Sequence, residues 1–193
     1  MSKIFYLMGK SASGKDTIYK KVKEELSELK TIVIYTTRPI REGEKDGVEY
    51  FFVDEHRLQV LQEAGKVIEL RAYNTVHGVW KYFTVDDGQF DREDHLIAIG
   101  TLESYVRLKK YFGQDKLIPI YIEVEDGLRL ERALAREREQ REPKYEELCR
   151  RFLADAADFS VDKLKEAGIT QKYFNIDMDK CISEIVLGIR EEM

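Results

Sequence analysis

Short unbroken apolar runs alternate along this chain with stretches whose apolar residues recur every three or four positions. The first run, residues 4–8 (IFYLM), has the length of a buried strand, and Ile18, Val22 and Leu26 then mark one face of a helix over about 15–29. Residues 31–37 (TIVIYTT) are β-branched and aromatic and read as one strand. Residues 48–53 give another strand. Asp54 is placed to cap a helix whose apolar face runs through Leu58, Leu61 and Ala64 until Gly65 stops it. Residues 66–70 form a strand, 71–84 are irregular and then strand-like, and 95–100 (HLIAIG) is a buried strand. Thr101 caps a helix carrying Leu102, Tyr105, Val106 and Leu108. Residues 117–124 follow as a strand in which Pro119 argues for an edge or a strand start. A charged helix opens at Asp126, with Glu125–Arg129 and Glu137–Arg141 as i,i+4 pairs, and Pro143 breaks it. A helix over 145–157, a strand over 171–176 and a last helix through Met178, Ile182, Ile185 and Ile189, capped by Asp177 or Asp179, complete the pattern.

Strands alternating with helices predict an α/β fold, a parallel core sheet flanked by helices on both faces with ligands at the strand C-terminal ends. Two excursions leave this core. The expected organisation is one domain, with a core of about 1–37, 85–136 and 149–193, an inserted lobe of about 38–84 and a helical lid of about 137–148.

Composition narrows the class. A chain of 193 residues with 43% hydrophobic residues suits one α/β unit. The net charge of −5 carries no basic bias, which argues against a nucleic-acid partner. Cys149 and Cys181 form no C-x-x-C pair and no disulfide framework. No apolar run approaches the ~18 residues of a membrane span, and the N-terminus lacks a signal-peptide layout. A reducing cytoplasm and no membrane are therefore expected.

The first strand runs into Gly9-Lys10-Ser11-Ala12-Ser13-Gly14-Lys15, which has the P-loop form G-x-x-x-x-G-K between a strand and a helix. The glycines let consecutive backbone N–H groups converge, and the helix N-terminus and Lys15 add positive charge, so the loop forms a cradle for a di- or triphosphate. Asp16 stands where the pattern expects a Mg²⁺-holding Ser or Thr, with Thr17 next. An aspartate supplies oxygen to Mg²⁺ directly or through water, and Thr17 offers its hydroxyl to a phosphate. In residues 36–53 (TTRPIREGEKDGVEYFFV), Arg38 and Arg41 on a Pro/Gly-bent loop make a forked anion site to which Tyr50 adds a hydroxyl. Two phosphate sites in one small protein imply phosphoryl transfer between nucleotides.

This second stretch resembles the signature of guanylate kinases, T-T-R-x-P-R-x-G-E-x-x-G-x-x-Y-x-F-V, with the proline one place early at Pro39 and Ile40 following. The resemblance extends from the P-loop through the signature and the excursion to the arginine-rich lid and the final strand. It implies a P-loop nucleoside-monophosphate-kinase fold whose inserted lobe binds the monophosphate, and transfer of the γ-phosphate of ATP to GMP with Mg²⁺. By resemblance, Lys15 and the loop amides bind ATP, and Asn175 lies near the donor nucleoside. Arg38, Arg41 and Tyr50 hold the GMP phosphate, with Glu44 in support. Glu69 reads the guanine N1 and N2 donors. Arg132, Arg136 and Arg151 close over the transferring phosphate. A homodimer stays open.

Departures fall on the base and metal side. The family motif N-Y-Y-G-[ST] matches only as Thr75-Val76-His77-Gly78-Val79, with His77 for a tyrosine and Val79 for a hydroxyl. Ile34 replaces a serine, and Ala98-Ile99-Gly100 replaces an acidic D-x-D strand end. Asp86 and Asp87 read as a turn or helix cap, or as the missing acid. Arg129, Arg132 and Arg136 share a helical face which, without the P-loop, would read as solvated. Trp80 and Tyr82 read as packing residues, and His56 and His95 as surface or packing residues. The alternatives to GMP kinase activity are a P-loop kinase of another nucleotide or small phosphorylated acceptor, and a catalytically weak binding domain.

Overall fold

The computed structural model describes residues 2–75, 78–91 and 93–193. Strand β1 (Ile4–Met8) lies at the centre of a five-stranded sheet with β2 (Lys30–Thr31), β7 (Leu96–Gly100), β8 (Leu117–Glu123) and β9 (Tyr173–Phe174), in the order β2-β7-β1-β8-β9. Every pairing in it is parallel. The residues of β1 are all buried, and strand alternation sends Ile4, Tyr6 and Met8 to one core and Phe5 and Leu7 to the other. Helices α1 (Lys15–Glu25) and α7 (Met178–Glu192) cover the second face with Ile18, Val22, Cys181, Ile182 and Ile185. Helices α3 (Leu102–Phe112) and α6 (Val161–Glu166) cover the first with Leu102, Tyr105, Leu108 and Leu164. Each such buried side chain is worth about 1.5–3 kcal/mol relative to exposure.

A second, four-stranded sheet holds β3 (Tyr35–Thr36), β4 (Phe51–Phe52), β5 (Val67–Thr75) and β6 (Gly78–Val85) in the order β4-β3-β6-β5. Helix α2 (Glu55–Glu63), capped by Asp54, packs Leu58 and Leu61 on Phe83 and Val85. Helices α4 (Asp126–Arg138) and α5 (Tyr145–Asp158) pack on each other beyond β8. This is an α/β fold with a parallel core sheet flanked by helices on both faces. Among the described residues, no helix is long and apolar enough to cross a membrane.

Several expectations need correcting. Residues 31–37 are not one strand: the chain leaves the core sheet after Thr31 and joins the second sheet at Tyr35. The irregular start expected of 71–84 is strand instead: residues 71–75 belong to β5, which pairs antiparallel with β6 from Val67↔Val85 to Thr75↔Gly78. Strand β8 is interior by order, yet β9 pairs only with Ile122 and Glu123, so Pro119 has β1 alone as its strand neighbour. The expected pairs on α4 do not form. Glu125 is the N-cap and accepts from the Leu128 N–H, while Arg129 turns inward to Asp126 and Asp155. Helix α6 follows Ser160, a cap that carries no strong apolar period in the sequence.

Candidate active site

The P-loop leaves β1 at the C-terminal end of the core sheet, where a parallel α/β sheet opens a crevice. Its two glycines are needed for different reasons. A Cβ on Gly9 would lie 2.7 Å from the Ile122 carbonyl oxygen, so the loop there presses on β8. Gly14 takes φ +82° as the cap of α1, and a Cβ on it would lie 2.5 Å from Asn175 Nδ2. Asn175 is fully buried and donates from Nδ2 to the Ser13 carbonyl at 2.8 Å. It therefore props the loop from beneath. Arg132 donates to the Asn175 carbonyl at 3.1 Å and steadies the same turn. Ser13 Oγ is buried without a hydrogen-bond partner, a spare polar group inside the cradle. Lys15 reaches the Asp16 carboxylate at 3.1 Å, and Lys10 reaches Asp126 at 3.1 Å. Thr17 is exposed on the first turn of α1.

One further hold on the loop comes through Asp155, which the sequence did not single out. Ser11 donates its backbone N–H to Asp155 of α5 at 2.8 Å, and Arg129 of α4 bonds the same carboxylate at 3.1 Å and the Ser11 carbonyl at 3.3 Å. Arg129 is 1% exposed and lies over the Phe152 ring at 4.1 Å. The helical face that would have read as solvated is thus anchored under the P-loop. Arg136 and Arg151 line a groove between α4 and α5 that reaches Ser11. Arg151 also donates to Glu147, whose carboxyl is lowered to about 2 by hydrogen bonds from Arg150 and Arg151.

Arg38 is 3% exposed. It donates to Glu44 at 2.7 Å and to the Pro39 carbonyl at 2.8 Å, and lies over the Tyr50 and Phe52 rings. Glu44 also accepts the Arg41 N–H at 2.8 Å, and its carboxyl is lowered, chiefly by the Arg38 hydrogen bond. Glu44 thus ties Arg38 to the Arg41 backbone, and Arg38 packs this loop against Tyr50. Arg41 is exposed and lies over Trp80 at 5.8 Å from the ring centroid. Tyr50 meets Tyr82 edge to face, with ring centroids 5.6 Å apart. His77 lies outside the described residues.

A cleft of about 1100 Å³ joins these parts. Lys15 and Asp16 line it from the P-loop, Tyr50, Arg71 and Tyr82 from the second sheet, Thr101 from the head of α3, and Arg150 and Arg151 from α5. A phosphate cradle and a candidate acceptor loop therefore face one space.

The base-reading positions differ from expectation. Glu69 is buried, and both its oxygens are taken by neighbours: Arg71 at 3.0 and 3.3 Å, and the Thr84 hydroxyl at 2.9 Å. Glu69 and Arg71 share a face of β5, and Thr84 stands opposite Glu69. Burial works against the charge of Arg71, but the Glu69 carboxylate more than compensates and holds its pKa above the ordinary value. At Gly100 an acid has no room, since a Cβ would lie 2.0 Å from the Tyr6 hydroxyl. Asp86 and Asp87 do not fill that role. Their carboxylates accept from the Tyr111 and Tyr35 hydroxyls, each at 2.8 Å.

For a metal, Asp16 offers an exposed carboxylate at the cleft beside Lys15. Among the described residues no group of three or more His, Cys, Asp or Glu could hold an ion. One carboxylate with substrate phosphates and waters is the usual way Mg²⁺ is held, so the donor set fits.

The chain is similar to known proteins. A family model for guanylate kinase matches residues 1–82. A guanylate kinase of Corynebacterium diphtheriae is 38% identical over 78 residues, 40% of this chain and 39% of that protein. One of Legionella pneumophila is 37% identical over 76 residues, 39% of this chain and 36% of that protein. The matched stretch thus spans about two fifths of the length of these curated relatives. A crystal structure of guanylate kinase from Anaplasma phagocytophilum superposes with a TM-score of 0.65 at 23% identity, covering 99% of this chain and 86% of that one. The family match thus falls on residues 1–82, while the likeness of fold covers 99% of this chain.

Proposed function

We propose that this chain, whose first 82 residues match a family model for guanylate kinase, moves the γ-phosphate of ATP onto GMP. The observation that carries this reading is the single cleft onto which Lys15 of the P-loop and Tyr50 of the acceptor loop both open. Phosphoryl transfer needs little covalent help from a protein; positioning and charge stabilisation carry it.

In this reading the P-loop amides and Lys15 hold the ATP phosphates, and Arg41 and Tyr50 hold the acceptor phosphate, on a loop fixed by Arg38 and Glu44. An oxygen of the acceptor phosphate attacks the γ-phosphorus. The bond from that phosphorus to the β,γ-bridging oxygen breaks, and ADP leaves with the electron pair. Arg136 and Arg151 come from the groove beside Ser11 to share the charge of the transferring group, and Arg132 and Asn175 keep the loop in place. Asp16 would hold Mg²⁺ at the cleft, where the ion would supply positive charge against the ATP phosphates. Residues 38–84 act as the monophosphate lobe and 137–148 as the lid, and closure keeps water from the phosphate. A cytoplasmic setting, which supplies both ATP and GMP, suits this activity.

The test is ADP production from ATP and Mg²⁺ against GMP, dGMP, AMP, CMP and UMP, with Lys15→Ala as the blank. The reading expects turnover with GMP that Lys15→Ala abolishes. Turnover confined to another acceptor would move the chain to the neighbouring class of P-loop kinases, which the filled position at Gly100 favours. ATP binding without turnover would leave a binding domain.

A further inference from the structure

We infer that Arg71, rather than Glu69, is the residue that reads the acceptor's base, and that it reads the O6/N7 edge of a 6-oxopurine. This rests on the acceptor being a purine monophosphate.

The argument begins with what each side chain has left to offer. A carboxylate recognises guanine by accepting from N1–H and the 2-amino group. Glu69 is closed to that, because its side chain is 0% exposed and its oxygens already accept three hydrogen bonds from Arg71 and Thr84, of the about four a carboxylate can take. A base reaches it only if Arg71 leaves, and a buried carboxylate stripped of its arginine is strongly disfavoured. Arg71 is placed differently. It is 8% exposed, yet it lines the cleft that Lys15 and Tyr50 line, and also the deeper cavity beside Ile34, Ala98 and Ser104. Its contact to Thr101 Oγ1 is long, at 3.4 Å, and its bonds to Glu69 use Nε and one hydrogen on Nη2. A guanidinium carries five N–H donors, so the Nη1/Nη2 end keeps donors to offer.

A guanidinium only donates, so its ligand must present acceptors. The O6/N7 edge of guanine presents two at the spacing of an arginine fork. The same edge of adenine presents N7 beside an amino donor, which opposes a donor. The pairing with Glu69 leaves the site near neutral, which suits a base better than a second phosphate. Glu69 is then the group that orients Arg71, and the 2-amino group of the base is not read.

The experiment compares kcat/KM for GMP, IMP and AMP in the wild-type chain, which needs no variant to fold. IMP keeps O6 and N7 and lacks the 2-amino group. The expected result is GMP and IMP within about tenfold, with AMP poorer by about 10–100-fold, the discrimination that one bidentate contact supplies. Arg71→Lys keeps the charge beside Glu69 and loses the fork, so it should narrow the gap between GMP and AMP. Glu69→Gln should lower GMP and IMP by the same factor. GMP favoured over IMP by about a thousandfold or more, as expected of a site that hydrogen-bonds the amino group, would overturn the assignment to Arg71 while leaving the kinase reading intact. A selective loss of GMP in Glu69→Gln would do the same. No turnover with any purine monophosphate would overturn both.

Discussion

The Ser11 N–H of the phosphate loop is bonded to the Asp155 carboxylate of α5 at 2.8 Å. That bond ties the helix behind the proposed lid to the cradle and places a negative group beside the position of a bound phosphate. Buried Arg129 neutralises it at 3.1 Å and is itself shared with Asp126. Asp155→Asn should therefore have two opposite effects. Stability should fall by about 1–3 kcal/mol, because a buried guanidinium loses a charged partner; urea unfolding measures this. ATP should bind severalfold more tightly, because a negative charge leaves the loop; calorimetry measures this. Loss of ATP binding in a folded Asp155→Asn protein would contradict the account.

Gly100 and Tyr6 compete for one volume, a Cβ at residue 100 lying 2.0 Å from the tyrosine oxygen and 2.9 Å from Cζ. Gly100→Ala should destabilise by about 1–3 kcal/mol, the usual cost of overpacking. Tyr6→Phe removes the oxygen and leaves the ring carbon, so the double variant should recover part of the loss. A double-mutant cycle measures the coupling. Additive losses would mean that the two do not share this space.

Glu147 gives the fold an acid sensitivity. Its carboxyl sits at about 2 rather than 4.5, because Arg150 and Arg151 donate to it. A lowered folded value adds stability that is fully present above the unfolded value and lost as pH falls through the folded one, so the window runs from about 4.5 down to about 2. The side chain is 36% exposed, so the effect is under about 1 kcal/mol. The urea midpoint should fall across that window, and Glu147→Gln should reduce the fall. An identical acid profile in the variant would count against it.

The two cysteines should separate by rate. Cys149 is exposed, while burial pushes the Cys181 thiol up to about 11. A thiol reagent near neutral pH should find one fast thiol in the native protein and the second only on unfolding. Two fast thiols would mean that α7 does not pack as described.

The P-loop was legible because strand, glycine spacing, lysine and helix lie together in sequence and each serves the same phosphate. The burial of β1 was legible for the same local reason, since residues 4–8 are an unbroken apolar run. What escaped depends on contacts between distant residues. Arg129 has the spacing of a solvated helical face, and only the packing of α5 turns it inward to Asp155. Residues 31–37 have the composition of one strand, and only the second sheet explains the break after Thr31. The role of Glu69 came from resemblance, and its partner stood two residues away: on a strand, Glu69 and Arg71 share a face. A buried carboxylate needs a partner, and that spacing was the signal for Arg71.

The central claim is that donor and acceptor phosphates occupy one cleft. The most direct measurement is calorimetric binding of a bisubstrate analogue in which adenosine and guanosine are joined through five phosphates. The account predicts one equivalent bound, far more tightly than ATP or GMP alone because linkage makes the second contact intramolecular, displacing both, and weakened by Lys15→Ala. An analogue that binds no more tightly than ATP, or that leaves GMP still able to bind, would contradict it.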